Sequence, residues 1–373
     1  MRIALFSGNY NYLREGANQA LNRLVGWLED EAGHIVRVYS PVTNTPAFEP
    51  AGTLVPVTSV ALPIRSEFRL ALGLPHAVRR DIRQFAPDII HLSTPDILNT
   101  RAQTFARQLG IPVVASQHTL FESYFDFYHL GWLRPLVELH LARFYRRSDH
   151  VVVPTDALAA DMRRLRGDNR VSVWSRGVDR TLFDPTRRDT AWRRAMGIAD
   201  HEVAVLFFGR LVLEKGIADY VGVIQRLQQE GLPVRALLVG EGPGRSAFGA
   251  LDNPVMTGQI EGEQLAIAVA SADIFYHPST TETFGNVVLE GMASGLPIVA
   301  ADAPGSRALL GDNAAGVICR PGDQDAAAAA ISNLIRDPEW RRELARAARE
   351  RSFAYSWDEA SAAVERVYRA LLD

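Results

Sequence analysis

The stretch DIFYHPSTTETFGNVVLEGMASGLPIVAAD, residues 273–302, contains a strand, a helix and a second strand in that order. Its two ends are short apolar runs bounded by turn residues, which is typical of buried strands in a parallel sheet. Between them a Pro-Ser-Thr-Thr loop and the turn Phe284-Gly285-Asn286 lead into an amphipathic helix. This order predicts a right-handed strand–helix–strand crossover unit of an α/β fold.

The same alternation continues along the chain in two successive series. The apolar runs are RIALF, HIVRVY, DIIHL, PVVAS and HVVVP in the first series, and VAVLFF, VRALLV, DIFYH and PIVAA in the second. Amphipathic patterns such as NQALNRLVGWLEDE and IADYVGVIQRLQQEG lie between them. The pattern therefore predicts two parallel sheets, each covered by helices.

The break between the two series falls at residues 174–202, which are rich in Arg and Asp and lack strand character. We therefore predict an N-terminal domain of residues 1–185 and a C-terminal domain of residues 186–354. An amphipathic pattern at residues 355–373 predicts a last helix. That helix either packs on the C-terminal domain or crosses back to the N-terminal one.

Composition excludes several classes of protein. The 373 residues carry a formal net charge of -3, which argues against nucleic-acid binding through a broad cationic surface. Cys319 is the only cysteine, so neither an intrachain disulfide nor a cysteine-rich metal site is expected, and a reducing cytoplasm is the expected location. No stretch approaches the ~18 apolar residues of a membrane span, so any membrane contact is expected to be peripheral.

The stretch FFGRLVLEKG, residues 207–216, contains Lys215, the only lysine beside 39 arginines. An ammonium is a compact point charge and a guanidinium is a rigid planar fork, so the two groups meet a phosphate differently. Lys215 lies between the first strand and the first helix of the second series, where anions bind. Either this position requires a point charge, or a single lysine is chance on a solvated helix start.

Two glutamates follow the strand DIFYH, at positions where loops of a parallel sheet line a ligand crevice. Glu282 in the loop can accept hydrogen bonds from hydroxyl groups above the turn, and Glu290 in the helix from hydroxyl groups further along. Gly285 allows close approach of the backbone, and the helix N-terminus offers N–H groups to oxygen atoms. Paired hydroxyl groups of a sugar would suit these acids, although capping and surface charge are the ordinary alternative.

Asp323 and Asp325 form the only Asp-x-Asp arrangement of the chain. This pattern can hold a metal–nucleotide complex. Because it directly precedes the alanine run 326–330, a helix cap and a first-turn acid are the more economical interpretation. No metal site is predicted.

The spaced set Glu282-x-Phe284-Gly285-x-x-x-x-Glu290, followed by Met292-Ala293-Ser294-Gly295-x-Pro297, resembles the nucleotide-sugar signature of the retaining glycosyltransferases of family 4. Further matching elements occur in order along nearly the whole chain: Gly177-Val178-Asp179, Phe183, Gly209-Arg210, Lys215-Gly216, Val239-Gly240-Glu241-Gly242-Pro243 and Thr257-Gly258. The resemblance implies the GT-B fold, an α/β architecture of two facing Rossmann-like domains with a cleft between them.

The resemblance also implies roles for individual residues. Arg210 and Lys215 would reach the donor diphosphate, where positive charge neutralises the leaving group. Glu290 would hold the ribose hydroxyls. The donor sugar would be held by Glu282 and by the backbone of Phe284, Gly285 and Asn286. No cofactor or metal is expected besides the nucleotide-sugar substrate, and UDP is expected rather than GDP.

In the N-terminal half, His118 follows the strand PVVAS and matches a histidine that family members place near the reacting sugar. A structural histidine at a strand end is the alternative. Many members carry two adjacent glycines near residue 16, and here only Gly16 matches. That departure resembles the branch that makes glycolipids such as sulfoquinovosyl or glucuronosyl diacylglycerol.

Two features suit a lipid acceptor at an anionic membrane surface. Six aromatic residues lie close together: Phe121, Tyr124, Phe125, Phe127, Tyr128 and Trp132. Two helices carry arginine groups, namely Arg79, Arg80 and Arg83 opposite Val78, Ile82 and Phe85, and Arg143, Arg146 and Arg147. A buried aromatic cluster and solvated helix faces are the alternatives.

The sequence thus predicts a retaining, metal-independent glycosyltransferase that moves a sugar from a nucleoside diphosphate to a hydroxyl group. The acceptor is expected to be a lipid, of the diacylglycerol or ceramide type, or a glycan. The protein is expected in the cytoplasm, with peripheral contact to the cytoplasmic face of an anionic membrane. A sugar-nucleotide epimerase of the same fold and a non-catalytic nucleotide-sugar-binding protein are the alternatives.

Overall fold

The computed structural model describes residues 1–13, 15–62, 68–118, 132, 134–311 and 313–373. The chain forms two compact units. Unit 1 comprises Met1–Arg176 and Trp357–Asp373, and unit 2 comprises Gly177–Ser356. The sequence-based boundary, at residue 185, lies within unit 2.

Unit 1 contains a seven-stranded parallel sheet with the strand order β3-β2-β1-β6-β7-β8-β9. Its strands are β1 (Arg2–Phe6), β2 (Ile35–Ser40), β3 (Thr53–Pro56), β6 (Ile89–Leu92), β7 (Val113–Ser116), β8 (His150–Val153) and β9 (Val171–Val173). Strands β4 (Val60–Ala61) and β5 (Arg69–Leu70) form a separate antiparallel pair. The helices are α1 (Gly16–Asp30), α2 (His76–Phe85), α3 (Ile97–Leu109), α4 (Arg134–Arg146) and α5 (Asp156–Arg166).

Unit 2 contains a six-stranded parallel sheet with the order β12-β11-β10-β13-β14-β15. Its strands are β10 (Val203–Phe208), β11 (Val234–Val239), β12 (Val255–Gly258), β13 (Ile274–His277), β14 (Ile298–Ala301) and β15 (Val317–Cys319). Its helices are α6 (Thr190–Ala195), α7 (Ile217–Gln229), α8 (Gly262–Ala270), α9 (Asn286–Ala293), α10 (Pro304–Leu310), α11 (Gln324–Arg336) and α12 (Pro338–Ser352).

The last helix, α13 (Trp357–Leu372), belongs to unit 1. Successive β1 side chains point to opposite faces of the sheet, so Ala4 and Phe6 join the core under α2, α3, α4 and α5. Ile3 and Leu5 join the other core, which α1 and α13 cover. Both sheet faces are thereby buried, which explains the uninterrupted apolar runs in the sequence.

The strand order reverses at corresponding places in the two sheets. β1 lies between β2 and β6, and β10 lies between β11 and β13. In open parallel sheets, ligands bind outside the carboxyl ends of the strands at such a switch point. The loops after β1 and β6, and those after β10 and β13, are therefore where each unit is expected to bind ligands.

The acids before the alanine run of α11 have structural roles. The Asp323 carboxylate accepts a hydrogen bond from the Ala326 backbone N–H at 2.9 Å, which confirms its interpretation as a helix cap. Asp325 pairs with the Arg226 guanidinium. Over the described ranges, no group of His, Cys, Asp or Glu side chains is arranged to hold a metal ion. Within the same ranges, no helix combines the length and apolar character that a membrane span requires.

Candidate active site

The loops after β10 and β13 bring Lys215 and Glu282 together at the switch point of unit 2. Lys215 ends a short 3₁₀ turn before α7, and Glu282 lies in the loop before α9. Lys215 Nζ donates to Glu282 Oε1 in an ion pair whose side chains are 26% and 17% exposed. Burial acts to raise the pKa of Glu282, but the Lys215 ammonium and His277 outweigh it and hold this pKa well below its usual range. Glu282 is therefore ionised at neutral pH.

His277, which was not predicted from the sequence, is a third member of this cluster. It is the last residue of β13 and is buried, and its Nε2 atom lies 3.6 Å from Glu282 Oε1. The sequence places His277 at the carboxyl end of a predicted strand, as it places His118 in unit 1. That position could have identified His277 as a candidate site residue. The cluster therefore combines a cation, a carboxylate and an imidazole.

Close backbone packing holds the Lys215 loop against the Glu282 loop. A Cβ atom on Gly216 would lie 2.7 Å from the Pro278 carbonyl oxygen, and Gly216 has a φ of 75°, so this position requires glycine. The Ser279 hydroxyl donates to the Glu214 carbonyl oxygen at 3.4 Å. Lys215 is thus fixed beside Glu282 by its immediate neighbours in the chain.

The Gly209-Arg210 motif packs against the motif that follows β11. The Leu211 N–H donates to the Glu241 carbonyl oxygen at 2.9 Å, and the Gly244 N–H donates to the Leu211 carbonyl oxygen at 2.8 Å. Arg210 itself is exposed at this edge. Two elements of the predicted signature that are distant in sequence are therefore direct neighbours.

The remaining predicted donor residues lie on the turn into α9 and on that helix. Phe284 is buried with its ring edge-on to Tyr355, and Asn286 is the first residue of α9. Gly285 precedes the helix, and Glu290 is half-buried within it. The predicted donor residues of unit 2 all follow β10 or β13, and among them the ion pair joins Lys215 to Glu282.

In unit 1, His118 lies two residues beyond β7 and is 9% exposed. Its Nδ1 atom lies 2.9 Å from Arg176 Nη2, and its Nε2 atom lies 2.8 Å from Ser116 Oγ. Burial first, and then Arg176 and His91, lower the pKa of His118 well below its usual range. His118 is therefore neutral at physiological pH, and both ring nitrogens contact protein groups.

Gly16 is the first residue of α1, which follows β1, and it is exposed. The neighbouring Glu15 accepts a hydrogen bond from the Asn9 side chain at 3.5 Å. Gly16 and His118 therefore both lie beyond the carboxyl ends of strands in the unit 1 sheet. Their predicted contacts with substrate remain predictions.

The aromatic stretch is described only in part. Its members Phe121, Tyr124, Phe125, Phe127 and Tyr128 lie outside the described residues. Trp132 is 74% exposed, and on α4 Leu136 and Leu139 are 65% and 67% exposed. Residues three apart share one helix face, so these two leucines form an apolar patch on the surface of unit 1.

The predicted sidedness of α2 is confirmed. Val78, Ile82 and Phe85 are buried. The guanidinium groups of Arg79 and Arg83 lie 5.7 and 5.1 Å from the ring centroid of Phe105 in α3, within the range of cation–π contacts. Arg80 is exposed on the same helix.

The fold and the site define a class of sugar-transferring enzymes, and comparison with known proteins confirms it. The family model Glycosyl transferases group 1 matches residues 188–351, and Glycosyltransferase Family 4 matches residues 14–182. The sulfoquinovosyl transferase of Arabidopsis thaliana is 30% identical over 95% of this chain and 71% of its own. A GDP-mannose-dependent alpha-mannosyltransferase of Mycolicibacterium smegmatis is 31% identical over 96% of this chain and 94% of its own. The alpha-monoglucosyldiacylglycerol synthase of Streptococcus pneumoniae is 28% identical over 91% of this chain and 79% of its own.

Solved structures agree on the fold. Sucrose-phosphate synthase from Thermosynechococcus elongatus matches with a TM-score of 0.80 and 22% identity, over 99% of this chain and 98% of that one. HepE of Anabaena in complex with UDP matches with a TM-score of 0.77 and 20% identity, over 99% of this chain and 100% of that one. The predicted GT-B fold is confirmed. The chain belongs to glycosyltransferase family 4.

Proposed function

We propose that this glycosyltransferase moves a sugar from a nucleoside diphosphate to a hydroxyl group of a lipid or glycan, with retention of the anomeric configuration and without a metal ion. The observation that carries the proposal is the contact between Lys215 and Glu282 at the switch point of unit 2. It joins a cation suited to a diphosphate with a carboxylate suited to sugar hydroxyls. Both groups lie where a parallel sheet binds ligands.

Arg210 and Lys215 would stabilise the departing nucleoside diphosphate. In the transfer, the bond between the anomeric carbon and the diphosphate oxygen breaks, and negative charge develops on that oxygen. Cationic groups fixed before the reaction stabilise such charge without having to reorganise. Lys215 has three N–H donors, so it can keep its contact with Glu282 while it meets a phosphate oxygen.

The acceptor hydroxyl would attack the anomeric carbon from the face that the diphosphate leaves. Its oxygen forms the new bond to carbon, and its proton passes to the departing phosphate oxygen, so no protein nucleophile is required. Glu282 and Glu290 would accept hydrogen bonds from donor hydroxyls and hold the sugar and the ribose. Retention would then follow from donor geometry that these carboxylates fix.

The names of the relatives support a lipid acceptor and, for the donor nucleotide, GDP. The sulfoquinovosyl transferase and the monoglucosyldiacylglycerol synthase favour a glycolipid product for this chain. We propose UDP as the donor nucleotide. The GDP-mannose-dependent relative, matched over nearly its whole length, favours GDP as the second candidate.

A donor screen followed by product analysis tests this function. Thermal unfolding is measured with a panel of UDP- and GDP-sugars, and the stabilising donor is then incubated with diacylglycerol, ceramide and soluble glycans. We expect nucleoside diphosphate to be released only when an acceptor is present, at a rate unchanged by EDTA, and an α-linked product from an α-linked donor by NMR.

Three other results would contradict the proposal. An isomerised nucleotide sugar without release of diphosphate would indicate an epimerase. Stabilisation without turnover on any acceptor would indicate a binding protein. Inversion at the anomeric carbon would exclude the retaining mechanism.

Membrane contact is the second part of the proposal. The surface of unit 1 carries the apolar patch Leu136 and Leu139 together with the arginines of α2. Anionic lipid attracts basic residues by roughly 1 kcal/mol each near the surface, and apolar side chains add insertion. These features support peripheral binding of unit 1 to an anionic membrane.

Vesicle co-sedimentation tests this contact. The protein should sediment with anionic vesicles at low salt and be released by high salt, which screens the charges. Replacing Arg79, Arg80 and Arg83 by Ser should reduce sedimentation. The matched control replaces the exposed Arg336, Arg342 and Arg346 of unit 2, which removes equal charge elsewhere. Equal losses in both triple variants would assign the binding to overall charge, and no loss in either would favour a soluble acceptor.

A further inference from the structure

A chain of five buried polar side chains runs through unit 1 from α13 to the segment after β9. In order, it consists of Tyr368, His91, Ser116, His118 and Arg176. The atoms in contact are Tyr368 Oη and His91 Nδ1 at 2.6 Å, His91 Nε2 and Ser116 Oγ at 2.9 Å, Ser116 Oγ and His118 Nε2 at 2.8 Å, and His118 Nδ1 and Arg176 Nη2 at 2.9 Å. All five are buried. We call this set the buried chain.

The arginine end of the buried chain determines which ring nitrogen of the neutral His118 carries the proton. A guanidinium can only donate hydrogen bonds, so His118 Nδ1 must accept from Arg176. A neutral imidazole has one donor nitrogen and one acceptor nitrogen. The proton of His118 therefore lies on Nε2, which donates to Ser116 Oγ. The contacts thus select one of the two neutral tautomers.

Arg176 is well fixed in this position. Its Nη1 atom donates to the carbonyl oxygens of Trp174 at 2.8 Å and Ser175 at 3.0 Å, and its guanidinium lies 4.5 Å from the centroid of the Trp174 ring. Burial lowers the pKa of Arg176 to about 9, so it stays charged at neutral pH. Among the residues that the structure describes, no carboxylate forms an ion pair with it. Its charge therefore acts directly on His118 and disfavours a second proton there.

The other end of the buried chain is the last helix of the protein. Tyr368 is fully buried in the core that α1 and α13 share, and its ring lies edge-on to that of His91. Burial lowers the pKa of His91 to about 3, so His91 is neutral as well. Among the described residues, the groups that face His118 include Arg176, the Ser116 hydroxyl and the Trp174 ring, with His91 beyond Ser116.

We propose that Arg176 and Tyr368 are positioning residues for His118. Arg176 holds His118 as the neutral Nε2–H tautomer, and Tyr368 anchors Ser116 through His91, so that the ring keeps one orientation. The proposal rests on the proposed sugar transfer, in which His118 contacts the substrate. In this proposal His118 contacts the substrate as a neutral ring of fixed orientation and does not accept a proton. Because Tyr368 lies in α13, the last helix contributes to activity.

Ring-nitrogen NMR of the full chain tests the tautomer without any substrate. The protein is labelled with ¹⁵N-histidine, and two-bond and three-bond ¹H–¹⁵N correlations are recorded between pH 5 and 8. The His118 signals are assigned with a His118→Gln variant. We expect the Nε2–H pattern for His118 across this range. An Nδ1–H pattern or an imidazolium at pH 7 would overturn the proposal.

Two substitutions test the two ends of the buried chain. Burial is the largest cause of the low pKa of His118 and Arg176 is the next, so Arg176→Gln should raise this pKa and Arg176→Lys should restore the wild-type signals. Tyr368→Phe should broaden or shift the His118 signals and lower kcat about tenfold with the donor KM unchanged, since misplacing a group at the site by about 1 Å can cost about 100-fold and a smaller displacement is expected here. Unchanged His118 signals in Arg176→Gln, or unchanged kcat in Tyr368→Phe, would overturn the corresponding role.

Tyr10→Phe is the matched control for Tyr368→Phe. Tyr10 is fully buried in the same core, but its hydroxyl donates to the Ala51 carbonyl oxygen at 2.9 Å, outside the buried chain. Thermal unfolding checks that each variant is folded. An equal loss of kcat in both variants would mean general packing and would overturn the positioning role. If the spectra agree but no sugar is transferred, the proposed function fails and the tautomer assignment stands.

Discussion

The two sheets share one strand order over six strands, and β9 adds a seventh in unit 1, but the units differ in the charge of the side chains at their switch points. In unit 2, Lys215 and Glu282 are both charged and partly exposed, and the pairing lowers the pKa of Glu282. In unit 1, burial keeps His91 and His118 neutral, with the charge of Arg176 beside them. Topology thus selects where a ligand can bind, and the residues after the strands select its chemistry. In unit 2 these residues bring opposite charges together, and in unit 1 they join neutral imidazole rings by hydrogen bonds.

The largest effect should come from the backbone that supports the unit 2 cluster. Gly240 has a φ of 138°, and a Cβ atom there would lie 1.9 Å from the Gly209 carbonyl oxygen. Gly240→Ala should therefore destabilise the protein by about 3 kcal/mol, from overpacking and an unfavourable φ. Urea unfolding measures it. The control is Gly249→Ala, where a Cβ atom would have no neighbour within 4 Å. Similar stability of the two variants would show that the loops after β10 and β11 can separate freely.

The next largest effect concerns the charge that the unit 2 cluster supplies. Lys215→Ala should weaken donor use by about 2 kcal/mol or more, since it removes a charged contact and leaves Glu282 without its partner. Lys215→Arg should retain the fold and lose less, because a planar fork replaces a point charge. Steady-state kinetics with varied donor measure both. A wild-type kcat/KM in Lys215→Ala would show that Lys215 does not bind the donor diphosphate.

The stability of the two units should depend differently on pH below 6.5. The folded pKa of His91, His118 and His150 is lowered from about 6.5, in His91 to about 3, so the unfolded chain binds more protons below pH 6.5. Stability of unit 1 should therefore fall as pH drops from 6.5 to 5, by about 1.4 kcal/mol per pH unit for each fully buried histidine. In unit 2 the pKa of Glu282 is lowered in the folded state. Glu282 therefore stabilises the fold fully above pH ~4.5, and this stabilisation is lost only as the pH falls below that value.

Hydrogen exchange with mass spectrometry measures this difference. After correction for intrinsic exchange rates, peptides of β6 and β7 should lose protection between pH 6.5 and 5, and peptides of β10 and β13 should retain it. Equal loss in both units would contradict the electrostatic contrast between them.

The smallest effect separates the two acids of unit 2. Glu290→Gln should raise the donor KM about fivefold, equivalent to about 1 kcal/mol, because an amide accepts hydrogen bonds through one atom where a carboxylate accepts through two. Glu282→Gln should act mainly on kcat or on the choice of donor sugar. Kinetics with the preferred UDP- or GDP-sugar measure both variants. Identical, unaltered parameters would contradict the roles of both acids.

The sequence predicted the central strands of both sheets and missed the edges. The strands it did not identify include β3, β9, β12 and β15, which are the outermost strands of the two sheets. Central strands are covered on both faces and therefore read as continuous apolar runs. These edge strands are three or four residues long and mostly half-buried, and three of the four contain Thr or Ser, so they lack that signal.

The site was predicted unevenly for a similar reason. Lys215, Glu282 and Glu290 stood out because they belong to a motif with fixed spacing. His277 and Arg176 were missed because each adjoins a motif without being part of it. Tyr368 could not be found, because its residue type and helical spacing are those of any core tyrosine. Whether a buried tyrosine has a polar role depends on which group its hydroxyl contacts in the folded protein.

By itself, the sequence determined the alternation of strands and helices, the two successive sheets and the loops that carry the unit 2 signature. These depend on residue type and spacing within short segments. The pairing of Lys215 with Glu282, 67 residues apart, was decided only by the tertiary structure. So was the link between Tyr368 and His118, which passes through two strands that are neighbours in the sheet. Parallel pairing and the packing of α13 bring these groups within hydrogen-bonding distance, and no local pattern encodes which distant side chains will meet.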